Sequence, residues 1–144
     1  RFSYLGMTLA QSPDRTSISA SQRGYLQALL KKEGVTGVVA NASPIDVLSP
    51  PTIEESAPAD KTWFASCLMS LAFVSNRTRP DLKFPISFLA SQMSAPNLKA
   101  ARCLRHLLQY VNRTIDYYIR FSPTSTEIYC EFDGSFALYP DGRG

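Results

Sequence analysis

The chain has 144 residues, 44% of them hydrophobic and 19% charged, a balance that fits a folded chain with one modest core and excludes a disordered one. Fifteen Lys and Arg against twelve Asp and Glu give a net charge of +3, a tilt toward anionic partners too weak to name one by itself. Three scattered cysteines, Cys67, Cys103 and Cys130, argue against a disulfide framework or a zinc site, and no apolar run reaches the roughly 18 residues of a membrane span.

In chain order, "RFSYLGMTLAQ" opens without Met and inside a strand, with Phe2, Tyr4, Met7 and Leu9 as its β-prone residues. Both ends of the chain read as cut. "SASQRGYLQALLKKEG" predicts the first helix, capped by Ser19 or Ser21. Tyr25, Leu26, Leu29 and Leu30 form its apolar face, Lys31 and Lys32 suit its C-terminal dipole, and Gly34 stops it. Asn41 to Pro58 carries four prolines and predicts an extended surface excursion.

A second helix is expected from about Lys61 to Val74, with Trp63, Phe64, Cys67, Leu68, Leu71 and Ala72 as a broad buried stripe. The third begins at "TRPD", with Thr78 as cap, Pro80 and Asp81 in the first turn, and Pro85 inside it as a source of bending. Leu82, Ile86, Leu89 and Met93 give its core line. In the fourth, "APNLKAARCLRHLLQYV", Leu98, Ala101, Leu104, Leu108 and Val111 face inward. "DYYIRF" and "EIYCEFD" close the chain as a hairpin. The expected fold class is α+β, mainly helical: three to four helices flanked by an N-terminal strand and a C-terminal β-hairpin. Cys67 and Cys103 fall in apolar helical patterns as buried thiols, so a reducing, cytoplasmic or nuclear location follows by default.

Three signatures occur together and in order. They are "TRPD", the S-x-M-x-x-P spacing of Ser91, Met93 and Pro96, and the R-x-L-R-x-L run from Arg102 to Leu107. With "YLG" before them, the "SQRGYLQALLKKEG" helix, and "CEFDGSFA" after them, nearly the whole chain resembles the copia-type LTR retrotransposon polyprotein. The matching region is the end of the reverse transcriptase running into RNase H. Departures are Pro85, Asn97-Leu98, "FDGS" for the family's "SDAD", and the loop from Val39 to Pro58. By resemblance, residues 1–38 are the palm exit and first thumb helix, 39–58 a variable loop, 59–116 the helical thumb and connection, and 117–144 the start of an incomplete RNase H sheet.

The resemblance implies that Tyr4, Leu5 and Gly6 form the primer grip, which must hold a primer end within reach of the incoming nucleotide. The plain alternative is a strand edge with a bulge glycine. The helices would hold template–primer or an RNA–DNA hybrid through phosphates. Lys31, Lys32, Lys99, Arg102, Arg105 and Arg113 are the candidate contacts, with His106 beside them; the alternative is an ordinary solvated face. Arg79 and Asp81 fit a structural role, Asp81 at a helix start and Arg79 paired with it or with another acid. The single His106 rules out a Ser–His–Asp triad or a histidine-rich metal site within this chain.

Asp133, by resemblance, is the first RNase H carboxylate and a ligand of the two Mg²⁺ ions that reaction needs. Otherwise it is a turn aspartate before Gly134. One carboxylate cannot hold two metals, so the remainder of the polyprotein would have to complete the site, and the isolated chain is not expected to be catalytic. No membrane partner is expected, and an active element would place the protein in its virus-like particle. The competing expectation is a non-catalytic nucleic-acid-binding or interaction domain derived from a retrotransposon remnant.

Overall fold

The computed structural model describes residues 1–41, 50–124 and 130. Phe2–Tyr4 (β1) and Met7–Gln11 (β2) form an antiparallel hairpin, with Phe2 opposite Leu9 and Tyr4 opposite Met7. Its two-residue tip, Leu5-Gly6, has φ of 48° and 75°. Positive φ at both positions is the turn whose twist matches the strands, and Gly6 adopts it without the crowding that a Cβ brings. Ile18–Ser21 (β3) and Ile119–Phe121 (β4) extend the sheet in the order β1-β2-β3-β4, every pair antiparallel.

The four helices are Arg23–Lys32 (α1), Lys61–Ser75 (α2), Lys83–Ala90 (α3) and Leu98–Arg113 (α4). A 3-10 turn, Pro80–Leu82, leads into α3. Asp60 caps α2 by accepting from the Trp63 N–H at 3.0 Å, and Asn97 caps α4 by accepting from Ala100 at 2.8 Å. Pro85 is the third residue of α3, where the missing N–H costs no intrahelical bond. Leu26, Leu29 and Leu30 of α1 meet Phe64, Leu68 and Leu71 of α2, Ile86 and Leu89 of α3, and Leu104, Leu107, Leu108 and Val111 of α4 in one continuous core. Cys67 and Cys103 are buried in it as free thiols, and burial pushes the Cys67 thiol up to about 12.

The architecture is the α+β, mainly helical fold expected, with four helices and a four-stranded sheet among the described residues. Three local expectations are corrected. Neither Ser19 nor Ser21 is the helix cap: "ISAS" is strand β3 and Gln22 is the N-cap, although Ser21 Oγ accepts from the Arg23 N–H just beyond it. Thr78 does not cap a helix either; it is buried and donates to Gln22 Oε1 at 2.9 Å. Leu98 is 45% exposed, because Asn97 starts the helix one residue before its inward face begins. "DYYIRF" does contain a strand, β4, and it pairs with β3 of the N-terminal sheet. The partner strand expected at "EIYCEFD" lies, apart from Cys130, outside the described residues.

Candidate nucleic-acid interface

The 3.6-residue repeat of α4 turns Leu104, Leu107 and Leu108 to the core and sets Arg102, His106 and Arg113 along the opposite flank, with Arg105 at the margin. Each of these side chains has a different neighbourhood. Arg105 lies over the Trp63 ring, 4.7 Å from its centroid, a cation–π contact that leaves the guanidinium edge in solvent. The indole N–H of Trp63 donates to Glu33 Oε2 at 2.7 Å, and Glu33 Oε1 lies 3.6 Å from the Lys32 ammonium. Trp63 therefore joins the C-terminal end of α1, with Lys31 and Lys32 exposed, to the middle of α4.

Arg102 is committed differently. Its Nη1 pairs with Glu55 Oε1 at 2.5 Å, although most of the side chain is exposed. The Thr52 N–H donates to the other Glu55 oxygen at 3.1 Å, and Glu55 N–H donates back to Thr52 Oγ1 at 3.3 Å. This reciprocal pair is a capping box. The Thr52 N–H, with the charges of Arg102 and Lys99, holds the Glu55 carboxyl below its ordinary 4.5 against an opposing push from burial. Lys99 is only 8% exposed, and its backbone N–H donates to the Glu55 carbonyl at 3.2 Å. Burial removes it from the accessible flank. His106 Nε2 donates to the Asn41 carbonyl at 2.9 Å, and Asn112 donates to the Gly37 carbonyl at 3.2 Å. Arg113 stands exposed in the last turn of α4.

The sequence candidates thus divide into three places. Lys32, through Glu33, and Arg105 are brought together around Trp63, with Lys31 exposed in the same last turn of α1 and Arg102 one turn of α4 further toward its N-terminus. Arg113 lies at the other end of that helix. Tyr4, Leu5 and Gly6 are the exposed tip of a hairpin whose β1 strand, among the described residues, lies at the edge of the sheet beside β2. Asp133, with its neighbours Glu131 and Asp141, lies outside the described residues, and among the described residues no three His, Cys, Asp or Glu gather as a metal site. No helix in them is long and apolar enough to cross a membrane.

Glu33 and Glu55 are members of this surface with no place among the sequence candidates, and Trp63, expected in the buried stripe of α2, is instead half-buried between Glu33 and Arg105. The Thr52-x-x-Glu55 spacing was a capping-box signal in plain view. The Trp63–Glu33 bond joins residues 30 apart and has no local signature. Between Gly34–Gly37, Trp63, Arg105 and Gln109 lies a cavity of about 140 Å³, well short of the roughly 300 Å³ at which small-molecule sites begin. The accessible chemistry here is a cationic, aromatic surface, not an enclosed pocket.

No protein-family model matches the chain, and no solved structure matches it. The sequence is similar to the transposon Ty5-1 protein YCL074W of Saccharomyces cerevisiae, 24% identical over 133 residues, which cover 89% of this chain and 42% of that protein. The chain therefore spans less than half the length of this relative. The similarity supports a transposon origin.

Proposed function

We propose that the chain is part of a copia-type retrotransposon reverse transcriptase, its thumb and connection running into RNase H, and that it holds template–primer or RNA–DNA hybrid by its phosphates. The observation that carries this reading is the bridge at Trp63. It links the last turn of α1, which carries the exposed Lys31 and Lys32, to the exposed Arg105 of α4 across a half-buried indole. Cations drawn from separate elements, with no enclosed pocket between them, suit a sequence-blind grip on backbone phosphates. The transposon relative and the ordered signatures of the sequence agree with it.

Fluorescence anisotropy with a labelled RNA–DNA hybrid tests the grip. The expected result is affinity that falls steeply with salt and is equal for scrambled base sequences. Replacing Lys31, Lys32 and Arg105 by Gln together should flatten the log K against log salt slope by about 2.7, at roughly 0.9 per phosphate contact. Binding with no salt dependence, or a slope untouched by the triple variant, would sink the reading.

Within the same proposal Asp133 supplies one carboxylate of a two-metal Mg²⁺ site, and the rest of the polyprotein supplies the others. In the full-length polyprotein, Asp133→Asn should abolish cleavage of hybrid RNA while DNA synthesis continues. Unchanged cleavage would return Asp133 to the role of a turn residue.

A further inference from the structure

The cationic flank of α4 is covered at its N-terminal end by the turn at 52–57. The turn takes up both features that attract an anion there. The Ala57 and Glu55 carbonyls accept from the N–H groups of Leu98 and Lys99, at 2.9 and 3.2 Å, and these are two of the orphan donors that make a helix start bind phosphate. The Glu55 carboxylate pairs with Arg102. Carboxylate and phosphate oxygens present the same charge-assisted acceptor to a guanidinium, so Glu55 stands where a phosphate oxygen would stand. The turn is held in register by the Thr52–Glu55 capping box, by Ser56 Oγ donating to the Thr52 carbonyl at 2.8 Å, and by the Ala59 N–H donating to the Pro96 carbonyl at 2.9 Å.

We propose that Glu55 is an internal phosphate stand-in, which keeps Arg102 out of the duplex contact and confines the footprint to the Lys31, Lys32 and Arg105 end of the surface. The inference rests on the duplex-binding reading above. It makes Glu55 a positioning residue, one that sets how many phosphates the surface engages without touching any of them.

The test is a double-mutant cycle on hybrid binding, with each variant's thermal melt confirming that it folds. Glu55→Gln, and Glu55→Ala in case Gln still holds Arg102 by a hydrogen bond, should tighten binding three- to tenfold near 100 mM salt and steepen the salt slope by about 0.9, one added contact. Glu55→Asp keeps the charge and should stay within twofold of the parent. Arg102→Gln should change the parent little and erase the gain in the Glu55 variants. A gain that survives Arg102→Gln would be a general field effect and would overturn the proposal, as would a parent slope already reduced by Arg102→Gln alone. If the parent chain shows no salt-dependent binding, the duplex-binding reading fails and this inference fails with it. If binding is present and lost in the Lys31, Lys32 and Arg105 triple variant, while both Glu55 variants match the parent, only the stand-in fails.

Discussion

Among the described residues, the bulkiest side chain that the fold encloses completely is a charged one, Arg79, 1% exposed. Its Nε and Nη2 grip the two oxygens of Asp81 at 3.0 and 2.8 Å, while Nη1 and Nη2 donate to the Thr114 carbonyl and hydroxyl at 3.1 and 2.6 Å. The rings of Tyr110 and Tyr117 lie 5.7 and 5.2 Å from the guanidinium carbon. One residue thus fastens the entry to α3 to the end of α4, where unpaired carbonyls accumulate. Arg79→Ala should cost about 3 kcal/mol or more in chemical denaturation, since Asp81 and Thr114 lose their partner together. Arg79→Lys should not restore it, because a point charge cannot reproduce the fork. A loss below 1 kcal/mol would refute this account. Burial pushes the Asp81 carboxyl up, but hydrogen bonds and charge from Arg79, helped by the Tyr110 hydroxyl, leave it below its ordinary 3.8. A depressed folded value means stability that is present above the unfolded value and lost as pH falls through the folded one. The gap in melting temperature between the parent and Asp81→Asn should therefore close as pH drops below 3.8. "TRPD" made the Arg79–Asp81 pairing legible, since both lie within three residues. Nothing in the sequence announced Thr114, 35 positions away.

At the scale of elements, α4 was the most legible, because a long helix with leucines at helical spacing and Asn before its first turn carries its own boundaries. Asn97→Ala should destabilise the protein by about 1 kcal/mol and Asn97→Gly by a few tenths, the usual ordering for a cap. Equal losses would mean that the side-chain bond to Ala100 contributes little, and that the turn carbonyls on Leu98 and Lys99 secure this helix end. Strand β3 was illegible for the opposite reason. Ser19, Ala20 and Ser21 have weak strand propensity, and Ser before a helix reads as a cap. Pairing on both sides, with β2 and with β4, is what makes it a strand. The same distinction governs the candidate interface. Helical spacing placed Arg102, Arg105 and Arg113 on α4, but which of them is stacked, paired or exposed depends on Trp63 and Glu55, supplied by other elements.

For the molecule as a whole, the sheet and the helices stand in an unequal relation. Direct pairing and two-residue alternation put Phe2, Tyr4, Met7, Leu9, Ile18, Ala20, Ile119 and Phe121, with Gln11 as the one polar residue among them, on one face, and Ser3, Thr8, Ala10, Ser19, Ser21 and Arg120 on the other. None of the apolar set belongs to the helical core cluster, and Phe2, Tyr4 and Phe121 remain 63%, 58% and 55% exposed. A half-apolar sheet ordinarily turns that face to its own core. Here most of the face stays in water, so its large side chains add little to folding and much to surface hydrophobicity. Replacing Phe2 and Phe121 by Thr should change the unfolding free energy by less than about 1 kcal/mol, since an exposed substitution typically costs within 0.5. It should also lower binding of a fluorescent apolar dye to the folded chain several-fold. A large loss of stability would mean that these rings are packed in solution. Unchanged dye binding would place the exposed apolar surface elsewhere, with Met69 of α2 and Phe84 of α3, 58% and 56% exposed, as the next residues to replace.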